Sequence, residues 1–161
     1  MTWRGATDFK DRIFACLPYL IPLFEAVTQF GTPLISQFPI LQVILIPLIP
    51  VQFIYGVLPY GMAAIVIFFL LFLLVVRNER IPHFIRFNTM QAILLDIALF
   101  LIGLILGVLS PALGNNLLTE TLVNVVFLAT LAACVYSVVQ SLMGRYAEIP
   151  TISEAVYAQV R

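Results

Sequence analysis

The sequence predicts an all-α integral membrane protein: a four-helix transmembrane bundle with an additional Pro-rich interfacial or re-entrant segment. Three observations lead there. Of 161 residues, 62% are hydrophobic and only 10% are charged, with a mean hydropathy of +1.08; a soluble domain carries roughly a quarter charged residues. The apolar runs approach or exceed the about 20 residues needed to cross a bilayer. The basic residues also recur in alternate polar segments, as the positive-inside rule expects. A chain so poor in polar side chains could not cover a water-facing surface, which excludes a soluble globular enzyme, a disordered chain and a nucleic-acid binder. Eight Lys and Arg balance eight Asp and Glu, so no net field recruits a charged partner. The partner the composition demands is the lipid bilayer.

The elements follow in order. Residues 1–11 are expected as a polar N-terminal segment on the cytoplasmic side, with Trp3 and Phe9 suited to an interface anchor. The first twelve residues, MTWRGATDFKDR, do not resemble a cleavable signal. Residues 12–143 are the transmembrane domain, with spans expected at about 12–30, 59–76, 89–110 and 119–143. The stretch 34–52, LISQFPILQVILIPLIPVQ, is apolar enough to enter lipid, but Pro39, Pro47 and Pro50 each remove a backbone donor. Charge placement argues against a crossing here. Arg4, Lys10 and Arg12 precede the first span, Arg77, Arg80 and Arg86 fill the middle loop, and Arg145 and Arg161 lie in the tail, with none in 31–58 or 111–118. A fifth crossing would destroy that alternation, so 34–52 is expected as an interfacial or re-entrant hairpin. PALGNN at 111–116 reads as a turn. Residues 144–161 are a polar tail, where Thr151 and Glu154 fit a capping box before a short amphipathic helix.

Ionisable groups at membrane depth call for an explanation. Asp96 lies roughly 12 Å into the third span at 1.5 Å per residue. It shares a stripe with Ala92, Gly103 and Gly107, and the two glycines form a GxxxG pair that permits close helix approach. A matching stripe on the fourth span, Thr130, Ala133, Ser137 and Ser141, is expected to pack on it, with Tyr136 and Ser137 as hydrogen-bond partners of Asp96. Asp96 is then either a hydrogen-bonded packing residue or part of a hydrophilic cavity or proton path. Glu25 and the Gln and Asn residues near the opposite interface are read as solvated. Cys16 and Cys134 are read as packing residues and the single His83 as interfacial. No metal cluster, phosphate loop or nucleophile with a base is visible, so no catalytic, cofactor-binding or metal residue is expected, and no enzyme activity.

Three stretches carry a resemblance: Arg12 through CLPYLIPL, the middle HFIRFNTMQAILLDI, and the ending GRYAEIPTISEAVYAQV. Together they resemble the Tic-twenty family, the twenty-kilodalton multispanning subunit of the protein translocon at the inner chloroplast envelope, with cyanobacterial relatives. The block from His83 to Ala92 is the most specific part. The resemblance implies four spans with both termini cytoplasmic or stromal, other translocon subunits and preproteins as partners, and participation in moving preproteins across a membrane. Nuclear-encoded plant members begin with a transit peptide; this sequence resembles instead a cyanobacterial or plastid-encoded relative, in a cyanobacterial plasma or thylakoid membrane or a plastid membrane. A four-span unit is small for a polypeptide pore, so a conducting path implies several copies or further subunits. The transferable positions are Arg86, Asn88 and Gln91. Arg86 is suited to a headgroup phosphate or a partner carboxylate, and Asn88 to capping the third helix. A structural or assembly protein without transport activity, and a small-solute channel or carrier using Asp96, are the competing readings.

Overall fold

The computed structural model describes residues 8–58, 62–114 and 116–160, and every regular element among them is helical. Helix α1 (Phe9–Cys16) starts where the Asp8 carboxylate accepts from the Phe9 amide at 2.7 Å. Pro18 lacks the donor an α-helix would use, and the chain tightens into a 3-10 turn, Leu17–Tyr19, before resuming as α2 (Leu20–Phe30). After α3 (Thr32–Gln37) come a 3-10 segment, Pro39–Leu48, and α4 (Ile49–Val57). Helix α5 (Ala63–Leu71) runs into a π-helical turn, Phe72–Val76. The longest elements are α6 (His83–Leu113) and α7 (Leu117–Leu142), and the chain closes with α8 (Ile152–Gln159).

Among the described residues, four helical stretches are long and apolar enough to cross a bilayer: Phe9–Phe30, Pro39–Val57, His83–Leu113 and Leu117–Leu142. Three of them match expected spans. The fourth is the Pro-rich stretch, while the expected span at 59–76 is the shorter apolar helix Ala63–Val76; residues 59–61 lie outside the described ones. The prolines leave Pro39–Val57 helical but not as one α-helix: a 3-10 run, Pro39–Leu48, precedes α4. Pro39 and Pro50 occupy first-turn positions of their elements, where the amide has no intrahelical partner anyway, and only Pro47 lies inside a run. Stretched at about 2.0 Å per residue in its 3-10 part, the segment gains length. It packs mainly on α2, α3 and α5, with Tyr55 against Phe24 at a ring separation of 4.7 Å.

Contacts sort the chain into two ends. At one, Arg12 Nη1 donates to the Leu142 carbonyl at 3.4 Å, Arg86 Nε donates to the Val76 carbonyl at 2.8 Å, and His83 Nε2 meets the Val160 carbonyl at 3.3 Å. At the other, Gln37 donates to Glu120 at 3.1 Å. The basic N-terminal, middle-loop and tail segments therefore gather at the same end. The α6–α7 connection is shorter than expected: Pro111 to Leu113 stay helical, and the turn begins at Gly114, whose φ of 68° suits a residue without Cβ. Asn116 then caps α7 by accepting from the Thr119 amide at 3.1 Å.

The stripes expected to join the third and fourth spans meet toward the basic end, where Ser137 and Ser141 of α7 reach Gln91 and Asn88 of α6; at the other end they are held apart. The first span lies between them, and Ala26, Val27 and Phe30 of α2 share a buried cluster with Leu99 of α6, Phe127 of α7 and Leu48. Gly103 faces α2: a Cβ there would come within 2.7 Å of Gln29 Oε1 and 3.6 Å of the Phe30 ring. Gly107 faces open space, with nothing within 4 Å of its Cβ position. The GxxxG spacing thus serves one close approach rather than two. Gly103→Leu is expected to destabilise the protein by about 1–3 kcal/mol through overpacking, and Gly107→Leu to be neutral; thermal unfolding of both variants in the same detergent separates them.

Candidate functional site

Asn88 and Gln91 sit three residues apart on one face of α6, and both side chains are fully buried. Each is surrounded by hydroxyls from other segments. The Asn88 Oδ1 accepts from Tyr19 of the first span and from Ser141 of α7, each at 2.9 Å. Its amide nitrogen donates to the Phe84 carbonyl at 2.8 Å. Gln91 Nε2 donates to the Tyr19 hydroxyl at 2.9 Å and, more loosely, to Ser137 of α7 at 3.4 Å. The Gln91 Oε1 accepts from Ser153 of α8 at 3.2 Å, and that hydroxyl also reaches the Ile149 carbonyl at 2.8 Å. Two amides and four hydroxyls thus tie the first span, α6, α7 and the tail into one buried polar knot. Ser137 and Ser141 fit because their small side chains admit a glutamine and an asparagine between helices.

An aromatic and apolar collar surrounds the knot. Val76, Phe87, Met90 and Ile93 pack with Val156 and Val160 of the tail. Tyr146 stands edge-on to Phe87 and Phe84, with ring centroids 4.9 and 5.2 Å apart, and its hydroxyl is 3.0 Å from His83 Nδ1. The single histidine therefore touches the tail at both Tyr146 and Val160. The tail does fold as a helix from Ile152, but no capping box forms. Thr151 has a left-handed φ of 71° and its side chain makes no cap hydrogen bond.

The residues singled out from sequence separate into groups. Asn88 and Gln91 form the centre of the knot. Asn88 does not cap the third helix, because α6 begins at His83 with Pro82 at its cap position, leaving Asn88 in the second turn. Arg86, next to them, caps the π-helical turn through the Val76 carbonyl. Asp96 lies farther along α6, in a cleft of about 520 Å³ whose polar lining is Glu25, Gln29 and Asp96 and whose apolar wall includes Phe68, Phe69 and Phe100. Glu25 accepts from Gln29 at 2.7 Å, while Asp96 Oδ1 is buried without a hydrogen-bond partner. The expected partners of Asp96 are engaged elsewhere: Ser137 with Gln91, and Tyr136 with the Glu148 carbonyl at 3.5 Å. Gly103 and Gly107 lie outside both features. Tyr19 was not anticipated, although a tyrosine within an apolar run must find a hydrogen-bond partner for its hydroxyl. Ser153 was anticipated only within a capping box.

The fold and the knot define a class: a multi-pass helical membrane protein whose first span, two long helices and C-terminal tail are fixed to one another by buried amides. A family model described as "Chloroplast import apparatus Tic20-like" matches residues 6–156. The chain belongs to that family. It is 51% identical to a "Tic20 family protein" of Synechocystis sp. over all of this chain and 99% of the relative. It is 36% identical to "Tic20 family protein Ycf60" of Gracilaria tenuistipitata over 93% of this chain and 75% of that one. To "Protein TIC 20-II, chloroplastic" of Arabidopsis thaliana it is 33% identical, over 96% of this chain and 74% of that protein.

Removing the shared acceptor tests the knot. Asn88→Leu strands the Tyr19 and Ser141 hydroxyls and is expected to cost about 1–3 kcal/mol for the orphaned groups. Tyr19→Phe removes one donor while leaving Asn88 paired with Ser141, and is expected to cost less. Unfolding of the reconstituted protein measures both, and equal stabilities of variants and parent would show that the knot carries no weight.

Proposed function

We propose that this protein is a membrane-embedded subunit of a protein translocon and contributes to a path for preproteins together with other subunits or further copies of itself. The observation that carries the reading is the family match over residues 6–156. The chemistry of the knot supports it: Asn88 and Gln91, in the most specific stretch of the resemblance, brace the basic end of the bundle. A translocon subunit needs that end rigid, because partners and preprotein engage there. On this reading the basic end and both termini face the cytoplasm or stroma, in a cyanobacterial membrane or a plastid inner membrane, and the chain performs no catalysis.

A second reading, a small-solute carrier, draws on the cleft that holds Asp96, Glu25 and Gln29. The two readings separate by experiment. Gln91 is fully buried and unsuited to a reporter, whereas Phe53 and Phe100 are exposed at 72% and 59%. A photocrosslinker at either position is expected to capture a preprotein arrested in transit and to release it from the adduct pool once transit completes. Adducts with stable subunits alone would favour an assembly role. Solute uptake lost in Asp96→Asn would favour the carrier. Cysteines introduced at Lys10 and Glu79 in a Cys-free background are expected to label from the same side of sealed vesicles, and labelling from opposite sides would overturn the orientation.

A further inference from the structure

A second recess lies near the knot, separate from the Asp96 cleft. It is a crevice of about 430 Å³ between the first span and the shorter apolar helix, with Leu17 and Ile21 on one wall and Leu71 and Val75 on the other. Arg80 stands among its lining residues as the only charged one described there, and its side chain is exposed. Thr89, on the α6 side, has 0% exposure, and its Oγ1 has no hydrogen-bond partner. Helical threonines commonly satisfy that hydroxyl on the carbonyl four residues back; Thr28, Thr121 and Thr130 all do so here. Below the crevice the same seam continues past Pro18, Ile21 and Leu71 as a narrow gap reaching Asp96.

An apolar slot with a cation beside it and a buried hydroxyl lacking an acceptor matches the anatomy of a phospholipid. We propose that the crevice is a binding site for one anionic phospholipid. Its phosphate pairs with Arg80, a glycerol ester carbonyl supplies the acceptor that Thr89 lacks, and an acyl chain lies between Leu17 and Ile21 on one side and Leu71 and Val75 on the other. The charge of Arg80 selects an anionic headgroup over a zwitterionic one, because a net negative lipid gains the full attraction of a basic group at the membrane surface. A soluble anion could use Arg80 but would leave the apolar walls and Thr89 unfilled, so the commitment is to a lipid.

Phe14 lines the crevice and is 56% exposed, which makes it a suitable reporter position. The full-length protein carrying Trp3→Phe and Phe14→Trp, reconstituted in phosphatidylcholine vesicles, reports occupancy through quenching of its single indole by brominated lipid. Brominated phosphatidylglycerol is expected to occupy the site about fivefold more favourably than brominated phosphatidylcholine, with the preference falling as salt is raised. Arg80→Gln is expected to bring the ratio to about one, Arg80→Lys to preserve most of it, and Arg77→Gln to leave it unchanged. Circular dichroism confirms that each variant retains its helices. Equal quenching by both lipids in the parent, a preference that survives Arg80→Gln, or one lost equally in Arg77→Gln would overturn the site.

Discussion

The bundle depends on two amide side chains having to find partners where water is absent. Apolar contact gives little net gain to helices already surrounded by hydrocarbon, so association rests on close packing and interhelical hydrogen bonds. Asn88 and Gln91 concentrate those bonds within one turn of α6, and most of them end on a different segment: Tyr19, Ser137, Ser141 or Ser153. Because a hydrogen bond tolerates only a few tenths of an ångström of misplacement, the knot fixes axial register as well as proximity. Sliding the first span by one residue would withdraw Tyr19 from both amides at once.

The other end of the molecule is held differently. There the first span is wedged between α6 and α7, and Ala26, Val27, Phe30, Leu99 and Phe127 interlock by shape. Gly103 lets Gln29 and Phe30 approach the α6 backbone. Register set by hydrogen bonds at one end and by shape at the other explains why α1 and α2 can continue through a 3-10 turn at Leu17–Tyr19. That turn places the Tyr19 hydroxyl toward α6 while α2 keeps its own packing face. Arg86 adds a local brace: in donating to Val76 it satisfies a carbonyl at the end of the π-helical turn, where the helix has no further amide to offer.

Much of this architecture was legible in the residues. Composition and run length sufficed for helices in lipid, and the placement of arginines anticipated that Arg12, the Arg77–Arg86 loop and the tail share an end. Asn88 and Gln91 stood out by type and position. Their role did not, because a side-chain amide accepts several geometries and only tertiary contact selects one; a capping role and a buried crosslink look alike in sequence. The glycine spacing was equally ambiguous, since Gly103 and Gly107 satisfy the same pattern and only the neighbouring helix distinguishes them. The prolines pointed to a departure from α-helix, and the chain answers with a 3-10 run, Pro39–Leu48, before α4. Pro39 and Pro50 open their elements, where a missing donor costs nothing, so the segment stays helical without being one α-helix. Tyr19 was hidden by its apolar surroundings, although a lone phenol in such a run carries the same obligation as an asparagine.

The C-terminal tail carries one further consequence. Thr151 is β-branched and holds a left-handed backbone, φ 71°, a conformation that costs a non-glycine residue on the order of 1–3 kcal/mol. The Ile152 amide donates to the Pro150 carbonyl at 2.9 Å and closes a tight turn around Thr151, and the seating of Val156, Val160 and Ser153 has to offset what strain is left. The grip of α8 on the bundle is therefore weaker than its buried surface suggests, since part of that surface is used to keep a spring compressed.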